Sequence, residues 1–159
     1  MVGASESHNL ISGNFFASLH IQLKNRDCKV FQNDMRVLPV LEGDYYYPDI
    51  VVVCGEANYK EDEEVDTLLN PILIVEVLSK STQNFDRGDK FENYRMNDSL
   101  IEYILISQDK VHIVQIVKQP DNKWLLSEIN NINETIKLSS INCEISLEEI
   151  YLKVKFSKT

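Results

Sequence analysis

Pro71-Ile-Leu-Ile-Val-Glu-Val-Leu78 is apolar at every position except Glu76 and lies between polar segments. A strand with one wet face alternates apolar and polar residues, whereas a strand packed on both faces reads as a nearly continuous apolar run. The segment therefore predicts an interior strand of a covered sheet. Glu76 is the anomaly. Burying an unpaired carboxylate costs several kcal/mol even after relaxation, so it must be paired, protonated or metal-bound. Period-two alternation sets it on one face with Ile72, Ile74 and Leu78. A salt bridge to a buried Arg or Lys and a metal site both stay open on these residues alone.

Working toward the N-terminus, Tyr45 to Cys54 reads as a second strand, with Pro48 near its start, where a missing donor is tolerated best. Asp49 follows that proline at the mouth of Ile-Val-Val-Val. Pro-Asp is also a common turn dipeptide, and the pair with Glu76 says more than either acid alone. If the two strands are neighbours, about 4.8 Å apart, both carboxylates can converge on one cation. Magnesium, or manganese in its place, suits such a pair, because it takes hard oxygen ligands and keeps several waters. Toward the C-terminus, Arg87 to Met96 predicts a helix with Asp86 as N-cap and Phe91 and Tyr94 facing inward. Lys90 lies one turn before Tyr94, on the side that can face the carboxylates, where a cation would relieve their repulsion and orient a water. A solvent-facing lysine is the other reading.

The remaining pattern fills in one mixed sheet. Leu10, Ile11, Phe15, Leu19 and Leu23 recur at helical spacing from Ser7 to about Lys24, with Ser5 or Ser7 as N-cap. Cys28 to Leu38, Ile101 to Ser107, Val111 to Lys118 and Trp124 to Ile129 read as further strands, the last two a hairpin turned at Pro120-Asp121-Asn122. Ser146 and Glu149 form a capping-box pattern over a short piece ending at Tyr151. The order of helix, three strands, helix and more strands predicts an α/β or mixed α+β domain, a central sheet flanked by helices. Tyr45-Tyr46-Tyr47 reads as packing at a strand start, with base stacking on exposed rings as the alternative. Trp124 reads as a hairpin or core anchor.

Composition limits the partners. The 159 residues are 43% hydrophobic and 26% charged, a balance that suits one globular domain spanning residues 1–159. The apolar run from Ile72 is cut by Glu76, well short of the roughly 20 residues a membrane span needs, so no membrane partner is expected. The N-terminus has neither a basic start nor an apolar stretch, and no signal peptide is expected. Cys28, Cys54 and Cys143 are widely spaced and odd in number, which suggests reduced thiols rather than a disulfide framework, and a cytoplasmic location. A net charge of −9 argues against a large sequence-independent nucleic-acid footprint. It does not argue against a nucleic-acid enzyme, whose metal site is acidic by construction. Part of that charge, Glu61-Asp62-Glu63-Glu64, reads as a solvated loop.

Several ordered motifs together resemble one family. Tyr-Tyr-Pro-Asp-Ile-Val-Val-Val-Cys (46–54), Pro-Ile-Leu-Ile-Val-Glu-Val-Leu-Ser-Lys-Ser-Thr (71–82) and Phe-Asp-Arg-Gly-Asp-Lys-Phe-Glu-Asn-Tyr-Arg (85–95) are similar to the Uma-two family of the PD-(D/E)xK nuclease superfamily. Ser-Leu-Ile-Glu-Tyr-Ile-Leu-Ile (99–106) and Gly-Ala-Ser-Glu-Ser-His-Asn-Leu-Ile-Ser-Gly-Asn (3–14) match as well, so the resemblance runs from about Gly3 to Tyr151. It implies a restriction-endonuclease-like α-β-β-β-α-β core. It also implies a magnesium-dependent endonuclease acting on nucleic acid, DNA foremost, with Asp49, Glu76 and Lys90 as catalytic residues and the two acids as metal ligands.

Two departures qualify the match. The usual lysine position, two residues after Glu76, is Leu78 here, which leaves Lys90 on the helix, or Lys80 as a weaker substitute. The family's customary front segment, with its additional acid, is not seen ahead of Gly3; Glu6 or His8 on the first helical turn can stand in. Tyr94, close to Lys90, and Asp34, one strand earlier, complete the candidates. Two other readings stay open: a catalytically silent interaction module, including a homodimer, and a structural domain in which Glu76 pairs with Lys90 or Arg87.

Overall fold

The computed structural model describes residues 3–61, 64–79 and 88–156. Lys80, Asp86, Arg87 and the middle of the acidic loop lie outside the described residues. The chain opens with α1 (Glu6–Leu23) and continues through β1 (Cys28–Gln32), β2 (Arg36–Val37), β3 (Ile50–Cys54), β4 (Thr67–Leu68) and β5 (Leu73–Leu78). Then come α2 (Asp89–Tyr94), β6 (Glu102–Ser107), β7 (Ile113–Lys118), β8 (Trp124–Ile129), β9 (Thr135–Leu138), β10 (Cys143–Ser146) and α3 (Leu147–Ile150). Six strands form one mixed sheet in the order β1-β3-β5-β6-β7-β8. Within this sheet, among the described residues, the β5–β6 pair alone is parallel, because the chain between them crosses over through α2 rather than turning back in a hairpin.

β5 is buried at all six positions, as its apolar run demands. Alternate residues of each central strand feed opposite layers. Ile50, Val52, Leu73, Val75 and Val77 pack beneath α1 against Ile11, Phe15, Leu19 and Leu23, with α3 and the β9–β10 pair closing that layer. Val51, Val53, Ile74 and Leu78 face the other way, toward Tyr94, Tyr103 and Tyr46. Glu76 shares this second face with Ile74 and Leu78. Ile72, expected there too, packs with the first layer instead, because it precedes the first β5 residue and is not held to the strand's alternation. A chain of rings seats α2 on the second face. Trp124 meets Phe91 edge-on at 5.3 Å, Phe91 stacks on Tyr103 at 5.2 Å, and Tyr94 lies 5.6 Å from Tyr103 and 5.0 Å from Tyr46.

Several sequence expectations need correction. The strand expected from Cys28 to Leu38 is two strands, because the chain turns after β1, with the Met35 amide bonded to the Gln32 carbonyl, and β2 leaves the large sheet to pair in parallel with β4. The strand expected from Tyr45 begins its ladder only at Ile50; Tyr46 makes a lone bridge to Val37. β4, β9 and β10 are too short to show a period. Glu102 is fully buried at the start of β6, where Ser140 donates to it from its amide and hydroxyl and Gln115 from its side-chain amide.

The cysteine expectation is also corrected. Cys28 and Cys54 stand directly opposite each other in the antiparallel β1–β3 ladder and are joined as a disulfide, leaving Cys143 as the free, buried thiol. Wide sequence spacing hid a pair that strand register brings together, and the inference from reduced thiols to a cytoplasmic location loses its basis. No helix among the described residues is long and apolar enough to cross a membrane. A cross-link with a sequence separation of 26 removes loop entropy from the unfolded chain, an effect of about 3 kcal/mol. Urea unfolding with and without a phosphine reductant is expected to show a stability loss of that order for the parent and none for Cys54→Ser. Equal midpoints for the oxidised and reduced parent would contradict the clamp.

Candidate functional site

Ser5 decides where the first helix begins. Its extended backbone and a side-chain oxygen that accepts from the His8 amide at 3.0 Å make it the N-cap. The Ser5 hydroxyl also bonds Gln108, whose side-chain amide donates to the Leu78 carbonyl at 2.8 Å, so the start of α1 is tied to the end of β5. His8 is thereby held over the sheet. Its Nε2 lies 3.1 Å from Asp49 Oδ1, with both side chains about 15% exposed.

Asp49 is fixed from two sides. Its Oδ2 accepts from the Val77 amide at 2.7 Å, while Oδ1 faces His8. Ile50 is paired with Val75 in the antiparallel β3–β5 ladder, so one step back along β3 and one forward along β5 brings Asp49 beside Glu76. Glu76 is 4% exposed. Lys90 Nζ, on α2, comes within 3.0 Å of Glu76 Oε1, and the Tyr94 hydroxyl reaches the same oxygen at 3.5 Å. Lys90 also lies 5.8 Å from the centre of the Tyr46 ring, whose negative face favours a cation.

The candidates thus fall into two linked contacts, His8 with Asp49 and Glu76 with Lys90 and Tyr94, joined through the Val77 amide next to Glu76. Glu6 is exposed on the first turn of α1, where its charge suits the helix N-terminus. Asp34 is exposed in the turn after β1. Lys80 lies outside the described residues. The contribution of Ser5 and Gln108 to positioning had only one signal in the sequence, the serine three residues ahead of His8.

Among the described residues no group of three or more His, Cys, Asp and Glu side chains gathers as a metal cage. Magnesium does not require one. It is commonly held by one or two carboxylates together with waters and substrate phosphate, and the donor chemistry of Asp49 and Glu76 fits that pattern. His8 faces the Asp49 carboxylate and Lys90 that of Glu76.

The imidazole of His8 is held above its ordinary range, first by its hydrogen bond to Asp49 and then by that carboxylate's charge, against an opposing effect of burial. Its Nδ1 is buried and has no hydrogen-bond partner among the described residues. A raised folded-state value means that the His8–Asp49 contact stabilises fully below the ordinary value of 6.5 and fades as pH rises through the raised one. Melting temperatures of the parent and His8→Asn across this range are expected to differ most on the acid side and to converge on the alkaline side. A constant difference would show that the pair contributes through packing alone.

The fold agrees with comparisons to known proteins. The model of the Uma2 family, described as "Putative restriction endonuclease", matches residues 1–149. Two uncharacterized proteins of Synechocystis sp. are similar, one 34% identical over 139 residues (87% of this chain, 78% of the relative). The other is 31% identical over 156 residues, covering 98% of this chain and 80% of the relative. A crystal structure described as a putative nuclease belonging to DUF820, from Anabaena variabilis, superposes with a TM-score of 0.76 at 15% identity, over 94% of this chain and 83% of that one. At that identity the likeness speaks for the fold, and the family match covers nearly the whole chain: the protein belongs to the Uma2 family.

Proposed function

We propose that this protein is a metal-dependent nuclease that hydrolyses phosphodiester bonds of nucleic acid, DNA foremost. The observation that carries this reading is the Asp49 carboxylate bonded to the amide adjacent to Glu76, which brings two acids from neighbouring strands to one register position, with Lys90 at the second. Asp49 and Glu76 would hold magnesium or manganese. When bound, such an ion neutralises phosphate charge and makes a coordinated water more acidic.

The chain's own groups do the rest. The Val77 amide fixes one Asp49 oxygen, so that carboxylate costs little to orient. Lys90, drawn toward the phosphate, steadies charge that develops on the transferring group or holds the attacking water. The Tyr46 ring, 5.8 Å from the ammonium, backs it on one side. Catalysis of this kind is mostly positioning and electrostatics.

Asp49→Asn and Glu76→Gln are each expected to lower magnesium-dependent cleavage of DNA by about 100-fold or more. Cleavage equal to the parent's would rule the mechanism out. The 3.0 Å contact of Glu76 with Lys90 favours a second reading, in which the pair is purely structural. Breaking a buried pair costs about 3–5 kcal/mol. On that reading Glu76→Gln destabilises by this much, and calorimetric titration with manganese shows no heat that depends on Glu76. On the nuclease reading the manganese heat disappears in the variant.

A further inference from the structure

Beside Lys90 the surface opens into a cavity of about 710 Å³, walled by the three consecutive tyrosines Tyr45, Tyr46 and Tyr47 and by Asn93, with Asp44 and Asp89 on its lining. We infer that this cavity receives a single unpaired nucleotide, its base stacked on Tyr47 and its phosphate at Lys90, so that the protein prefers single-stranded or frayed DNA over closed duplex. This inference rests on the nuclease reading and specifies its substrate.

The tyrosines divide by role. Tyr46 is buried, packs against Tyr94 and accepts a hydrogen bond from Asn93 at 2.8 Å, so it forms the wall. Its hydroxyl keeps its proton more firmly than usual, chiefly because it is buried and also because Asp44 lies close, so a phenolic donor remains on that wall. Tyr45 is anchored, with the Arg36 guanidinium 4.4 Å from its ring centre and Lys60 bonded to its hydroxyl at 2.7 Å. Tyr47 is 55% exposed, a large ring held in water one residue before Pro48. An aromatic face of this kind recovers apolar contact when a base stacks on it, and every base offers such a face only when it is out of the duplex.

Charge favours the same occupant. Asp44 and Asp89 repel phosphate and would keep a strand's backbone out of the cavity, whereas a neutral base can enter and offer amino hydrogens to those carboxylates. Lys90 is the cation common to the cavity and the Glu76 contact, so a phosphate left at the cavity's edge meets the candidate metal site. A chain with net charge −9 has little to hold a long duplex by its backbone, and one captured base supplies grip that does not depend on a basic surface.

The test is fluorescence anisotropy with a short fluorescein-labelled DNA single strand and a closed hairpin duplex, with calcium replacing magnesium to suppress cleavage. The parent is expected to bind the single strand more tightly. Tyr47→Ala should weaken that binding by about 5- to 150-fold, as loss of one stacked base does, and leave duplex binding and the melting temperature unchanged. Tyr47→Trp should restore it. Equal affinity for the two DNA forms, or Tyr47→Ala binding the single strand as the parent does, overturns the inference. Magnesium-dependent cleavage that still requires Glu76 would then leave the nuclease reading standing. If the parent binds neither DNA form and cleaves neither, both fall together.

Discussion

Glu76 occupies the interior of a strand whose other five positions are buried and apolar, and it is held there by the Lys90 ammonium at 3.0 Å. In water that contact would contribute little. Inside a covered sheet it offsets the desolvation cost that the carboxylate would otherwise carry. Everything nearby serves the pair. Tyr94 shares the same carboxylate oxygen, Tyr46 backs the ammonium, and the ring chain from Trp124 through Phe91 and Tyr103 fixes the short α2 that carries Lys90. A sheet packed only for stability would place leucine here. A carboxylate at this cost, with a second one opposite it across the β3–β5 pair, is what supports the proposed site.

The second acid is held by different means. Asp49 sits just before the β3 ladder begins, where a side chain can turn back to accept from the backbone of its neighbour. His8 completes its shell from the opposite layer. The candidate site therefore draws on four elements: the first turn of α1, the start of β3, the second half of β5 and α2. Within this Uma2 chain, that convergence depends on small polar links, Ser5 to His8 and Gln108 to Leu78, as much as on the core.

Much of this was legible in the sequence, for physical reasons. β5, β3 and α1 carry strong apolar patterns, and Glu76 shows itself by breaking one. Lys90 and Tyr94 fall one turn apart on a helix whose apolar side is clear. What stayed hidden depends on register or on very short segments. The disulfide between Cys28 and Cys54 follows from strand pairing, which no spacing reveals. β2 and β4 have two residues each and no period to read. The burial of Glu102 depends on Gln115 from the neighbouring strand β7 and on Ser140, which arrives from beyond β9. His8 and Glu6 were equal candidates by composition, and cap geometry turned one inward and left the other in water.

The claim on which the rest depends is that Asp49 and Glu76 can share one divalent ion. Diffraction from crystals soaked in manganese, with data collected for anomalous scattering, tests it directly. An anomalous peak is expected within about 2.0–2.3 Å of one oxygen from each carboxylate, with Lys90 moved off Glu76 Oε1. An empty site with the Glu76–Lys90 contact intact, or manganese bound only elsewhere on the acidic surface, would contradict it.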